Sequence, residues 1–210
     1  MKQIIKNKTR LCLQKGNTMF QGKVKHEAEA IRSLLNFVPE KLENLRDEMN
    51  ASIETVEPVE YEEWDCYENK VVPRIWYPDV DTSIIDEMED AFYLSIVERI
   101  YSFAESGLKI LSGVKSKPHR SKERKTLSDV DVYLQRIEKN QEITLPPIEN
   151  LWPNKDGFHL LRKQIAHHGK DHLTDTEVNH LATDLDDALH MLLFVEEKIR
   201  EKNLNYNSSF

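Results

Sequence analysis

The chain has 210 residues, 31% of them charged and 39% hydrophobic, a length that suits one domain or one domain with an elaborated end. Six Gly and eight Pro exclude a collagen-like, Gly/Ser-rich or mucin-like polymer and leave a core of helices within reach. A net charge of -8 argues against a dedicated duplex-DNA coat, which is built on clustered Lys and Arg.

In chain order, residues 1–25 come first, with seven Lys/Arg and no acid. They read as a basic N-terminal arm over 1–22, either a solvated terminus or a tail for nucleic acid. A helical domain over 23–203 follows. Val24, Ala28, Ile31, Leu35 and Val38 recur at spacings of three and four. Pro39 is expected to end or kink that helix, and the stripe resumes through Leu42, Leu45, Met49 and Ile53. Residues 55–82 break the period. Three prolines, with Trp64, Tyr67, Trp76 and Tyr77 among many acids, predict an irregular insertion, pinned to the helices by its aromatics, with a short strand at Val71–Trp76.

Ser83 with Asp86 suggests a capping box, and Tyr93, Ile96, Val97, Ile100, Ala104, Leu108 and Leu111 predict a long central helix over about 83–112, capped by Gly113. The run 115–125 has six Lys/Arg and one acid, so it cannot be buried. Ser128 with Asp131 opens a further helix, and residues 143–154 form a Pro-rich connection. A helix over about 155–168 ends at Gly169. Thr174 with Glu177 then caps a last one, whose stripe from Val178 to Ile199 carries it to about 202, ahead of a polar tail over 204–210. The expectation is an all-α fold, an antiparallel helical bundle of five to six helices.

The segment with most chemical content is LLRKQIAHHGK, residues 160–170. Phe158, Leu161, Ile165 and His168 share one stripe directed at the core. Arg162 lies to one side of that stripe. His167 lies far round on the other, about 140° from Arg162 on an ideal helix. This R-x(4)-H match stands near the end of an amphipathic helix, before a Gly and a long capped helix, in an all-α chain. In that setting it resembles the HEPN superfamily (higher eukaryotes and prokaryotes nucleotide-binding domains), whose helical bundles carry R-x(4–6)-H near the end of the penultimate core helix.

The resemblance covers roughly 83–203 and implies a metal-independent endoribonuclease of toxin or antiviral-defence type, working as a homodimer with no cofactor. It implies that Arg162, His167 and His168 are the catalytic set. Arg162 would stabilise charge on the phosphorane, and His167 would move protons near neutrality. Two positions differ from the family pattern. Lys163 follows the Arg where Asn, Asp or His is usual, and His167 is followed by His168 and Gly169 rather than by the x-Tyr of one toxin subfamily. RNA is the expected partner, guided by Lys163 and by Lys117, Arg120, Lys122, Arg124 and Lys125 of the basic run. An antitoxin or regulatory protein is a further expected partner.

Plainer readings stand beside these. Arg162 and His167 also suit a surface Arg and an exposed helix-end His, His168 a core His, and the basic run a solvated loop. The chain would then be a non-catalytic HEPN-like interaction module or an unrelated bundle. His168 and His172 are four apart, but Gly169 lies between them and no H-E-x-x-H pattern forms, so no metal is expected. Two Cys without metal-ligand spacing, and no apolar run near 18 residues, lead to an expected cytoplasmic protein free of the membrane.

Overall fold

The computed structural model describes residues 2–55, 57, 59–67, 69–76, 82–113 and 127–207. The fold is all-α with one small hairpin. In order come α1 (Lys2–Thr55), β1 (Val59–Asp65), β2 (Lys70–Trp76), α2 (Ser83–Ser112), α3 (Asp129–Gln141), α4 (Lys155–His168) and α5 (Asp175–Asn207). A single 3₁₀ turn, Ile148–Asn150, interrupts the Pro-rich connection. No helix among the described residues is long and apolar enough to cross a membrane.

The chain divides into two compact units, Met1–Leu35 with Tyr93–Phe210, and Asn36–Phe92. The first is the helical bundle. Its core takes Val24, Ala28 and Ile31 from α1, Ile96, Ile100 and Leu108 from α2, Val130 and Ile137 from α3, and Phe158 and Leu161 from α4. From α5 it takes Leu181, Leu185, Met191, Leu192 and Val195. Each of these side chains larger than Ala28 contributes about 1.5–3 kcal/mol by leaving water. Helix directions follow from the bonds between them. Gln21 reaches Glu196 at 2.7 Å and Arg32 reaches Asp186, so α1 and α5 run antiparallel. Glu98 meets Arg162 and Tyr101 meets His159, so α2 and α4 do too.

In the second unit Leu42 and Ile85 are buried, and Arg46 bonds Asp86 at 2.8 Å and Glu89 at 3.2 Å. Its hairpin pairs β1 with β2 antiparallel, from Val59 opposite Trp76 to Asp65 opposite Lys70. Asn69 takes the left-handed conformation (φ 52°) that the tight connection needs, and the Tyr67 N–H donates to Asp65 Oδ1 at 2.8 Å.

Several expectations need correcting. α1 is one helix from Lys2. No Pro interrupts the segment before residue 39, and Pro39 withdraws only the bond to the Leu35 carbonyl, between turns that Ile31 and Leu42 bury. Among its described residues the insertion is mostly a hairpin rather than irregular. Val71–Trp76 is a strand, but four acids among the seven residues of β1 hide its partner from a period-two search. Trp64 and Tyr67 do not pin it, being exposed, whereas Trp152 is fully buried; the side chains of Trp76 and Tyr77 lie outside the described residues. α5 continues to Asn207. The capping boxes at Ser128 and Thr174 form as expected, while at the start of α2 the helix already includes Ser83. The basic run 115–125 lies outside the described residues.

Candidate functional site

Two anchors fix the start of α4. The Trp152 indole N–H donates to Asp184 Oδ1 at 2.9 Å, and Asn154 Nδ2 donates to the same carboxylate. Lys155, only 6% exposed, donates through Nζ to Asp131 at 2.8 Å and to Asp156 at 2.6 Å. Asp131 is also the acid of the capping box at Ser128, so one carboxylate ties the start of α3 to the start of α4. Burial opposes the charge on Lys155, but its two carboxylates prevail and raise its pKa. At the other end Gly169 adopts φ 66°, a left-handed cap that favours Gly, and its N–H donates to the Gln164 carbonyl.

Between these ends, Arg162 is held by α2. Its Nε donates to Glu98 Oε2 at 2.9 Å, and its guanidinium carbon stands 4.2 Å from the centre of the Tyr101 ring. Neither Nη group has an acceptor among the described residues, and the side chain is 30% exposed. A guanidinium fixed by one edge and one face, with its fork unpaired, can take two oxygens of a phosphate.

His159 sits one turn before Arg162, with its ring centre 5.7 Å from that of Tyr101. Its Nδ1 is buried without a hydrogen-bond partner among the described residues. Burial, then the charges of Lys155 and Arg162, push its pKa down, so it is held as the neutral imidazole.

His167 and His168 are both exposed on the last turn, and neither side chain bonds another described residue. The expectation of a core-facing His168 is corrected here, because the buried stripe ends at Leu161 with Ile165 half-buried and the helix stops before turning His168 inward. Lys163 is exposed beside Arg162. Lys117, Arg120, Lys122, Arg124 and Lys125 lie outside the described residues. Within one chain, α4 does not bring Arg162 and His167 together, being five residues and about 140° apart on a helix. The residues it does bring to Arg162 are Glu98, Tyr101 and His159. Only His159 carried a signal, its i, i-3 spacing; Glu98 is 64 residues away.

A surface cleft of about 350 Å3, lined by Leu134, Gln135, Leu145, Pro146 and Ile148 among others, includes none of Arg162, His167 or His168. Among the described residues no three His, Cys, Asp or Glu side chains converge as metal ligands. The chain matches no protein-family model, no curated protein and no solved structure.

Proposed function

We propose that this protein is a HEPN-like endoribonuclease that cleaves RNA without a metal ion, as a homodimer, in a toxin or antiviral-defence role. The observation that carries the reading is Arg162, anchored by Nε to Glu98 and by its face to Tyr101 with both Nη groups unpaired among the described residues. In the reaction, His167 takes the proton of the RNA 2′-hydroxyl and the 2′-oxygen bonds to the adjacent phosphorus. The bond from phosphorus to the 5′-oxygen breaks, and that oxygen leaves with a proton from the imidazolium of the second copy's motif. Arg162 donates to the phosphorane oxygens as their charge grows. The exposed His168 adjoins this pair, and Lys163 adds positive charge beside the scissile phosphate. Because Arg162 and His167 lie on different sides of α4, the reading needs a second copy to complete each site.

The test is cleavage of total RNA in EDTA by the purified protein, beside Arg162→Ala and His167→Ala. Fragments ending in 2′,3′-cyclic phosphate from the unsubstituted protein alone are expected. Equal cleavage by all three proteins would remove the motif from the chemistry.

A second reading, a non-catalytic helical interaction module, is favoured by the same ion pair. Arg162 already ties α4 to α2 through Glu98 and Tyr101, which accounts for it without RNA. Absence of cleavage by any of the proteins, at high concentration and on several RNAs, would favour this module.

A further inference from the structure

Directly paired residues of a hairpin project to the same side. The register pairs Trp64 with Val71, Glu62 with Pro73 and Glu60 with Ile75, so these six share one face. Trp64, Val71 and Ile75 are 55%, 51% and 55% exposed, and Pro73 is exposed with them. A two-stranded hairpin is marginal by itself in water, and clustered exposed apolar side chains mark contact surfaces.

Pro73 determines which edge is open. It has no N–H, yet the register runs unbroken through its pair with Glu62. That pair is therefore one whose peptide groups point away from each other, and the hydrogen-bonded pairs are Tyr61 with Arg74 and Glu63 with Val72. By the same alternation the N–H and C=O groups of Glu60, Glu62 and Trp64 point outward from β1. On β2 the matching outward donor is missing at Pro73, which blocks strand addition there. β1 has no such block, and among the described residues no backbone bond reaches its outer edge.

Charge selects the occupant. Glu60 and Glu62, both exposed, flank this edge on the apolar face. Residues 54–90 around it hold thirteen acids against Lys70 and Arg74. A second copy adding β1 to β1 would set these glutamates against their own equivalents, and like charges directly opposite are destabilising. We infer that the outer edge of β1 takes up, as a third strand, an extended basic segment of a partner protein. Lys or Arg of that segment pair with Glu60 and Glu62, and an apolar residue covers Trp64.

The probe is a synthetic peptide of lysines alternating with valines, titrated into the full chain and followed by amide hydrogen exchange. Saturation is expected to slow exchange at Glu60, Glu62 and Trp64 by roughly tenfold or more. Tyr61 and Glu63, already bonded within the hairpin, should hold their rates. Glu62→Pro removes one outward donor without touching a hairpin bond, as Pro73 does on β2, so it should abolish binding with the hairpin amides still protected. Glu62→Gln keeps the donor and should weaken binding only through charge. The inference is overturned if the peptide does not bind, if Glu62→Pro binds it as well as the original, or if a peptide of alternating glutamate and valine binds equally. Self-association through the same amides without peptide would assign the edge to a second copy and overturn it as well.

Discussion

Glu98 and Arg162 are both part-exposed, so their 2.9 Å ion pair contributes at most about 1 kcal/mol to stability. Its effect on chemistry is expected to be larger, because a guanidinium displaced by 1 Å can lower a rate by about 100-fold. On the proposed function, Glu98→Ala should therefore leave the melting temperature nearly unchanged and reduce the proposed RNA cleavage by at least about tenfold. A variant that cleaves normally would show that Glu98 does not position Arg162. Asp184 presents the opposite balance. It is 2% exposed, and burial raises its pKa although Trp152 and Asn154 donate to it. The folded state then binds that proton more tightly than the unfolded chain, so ionisation weighs against folding as pH rises from the ordinary 3.8 through the raised value. Asp184→Asn keeps an acceptor for the indole N–H and never ionises. Its stability relative to the original protein should be better at about pH 7 than at about pH 3, measured by urea unfolding at both. Asp184→Ala leaves the indole donor unpaired and should lose about 1–3 kcal/mol at either pH.

Elements meet where local preference yields to packing. Gly107 lies within α2, where a Gly is unfavourable by roughly 0.5–1 kcal/mol against Ala. A Cβ built there would stand 2.6 Å from both terminal carbons of Leu192, itself fully buried on α5. Gly107→Ala should therefore destabilise by about 1–3 kcal/mol despite its better helix propensity, seen as a lower melting temperature. A rise would show that Leu192 moves aside freely. Among the described residues periodicity located α2 to α5 and the buried part of α1, because each buries a stripe that repeats along its own sequence, but it missed the start of α1 and its passage through Pro39. Caps were legible for the same reason, since Ser128 with Asp131 and Thr174 with Glu177 act across three residues. What stayed hidden depends on distant parts of the chain. The ties of Arg162 to Glu98, Trp152 to Asp184 and Lys155 to Asp131 span 64, 32 and 24 residues. Nothing in the sequence around Lys155 marks it as buried, and only the carboxylate of α3 explains its burial. At the candidate site the motif itself was legible, but the group that holds Arg162 was not.

Across the whole molecule, the titrating groups of the bundle set a shape for stability against pH. Asp131 and Glu177 have lowered pKa values because, although burial opposes them, bonds from Lys155 and Ser128, and from Lys170 and Thr174, prevail. Their contribution is full above the ordinary carboxylate values and is lost as pH falls through the lowered ones. Asp184 acts in the reverse sense over the adjoining range. His159 operates at milder pH. Burial, Lys155 and Arg162 lower its pKa below 6.5, and the carboxylate of Asp131 only partly opposes them. Between that lowered value and 6.5 the unfolded chain binds a proton that the folded chain refuses, so stability rises with pH through this window and is complete above it. Acidification should thus unfold the protein in two stages, a shallow loss below pH 6.5 from His159 and a steeper one below the ordinary carboxylate values. His159→Gln keeps a polar side chain of similar reach but cannot take up a proton. It should flatten the fall in melting temperature between about pH 7 and pH 5 while leaving the steeper acid loss in place. Scanning calorimetry at intervals across that range separates the stages, and an undiminished first stage in the variant would assign it to another group. The same proton bears on Arg162. A charged His159 would place a second cation against the Tyr101 ring that Arg162 covers, so the lower pH at which the folded protein itself takes up that proton, where the first stage ends, is also where the guanidinium should loosen from Glu98.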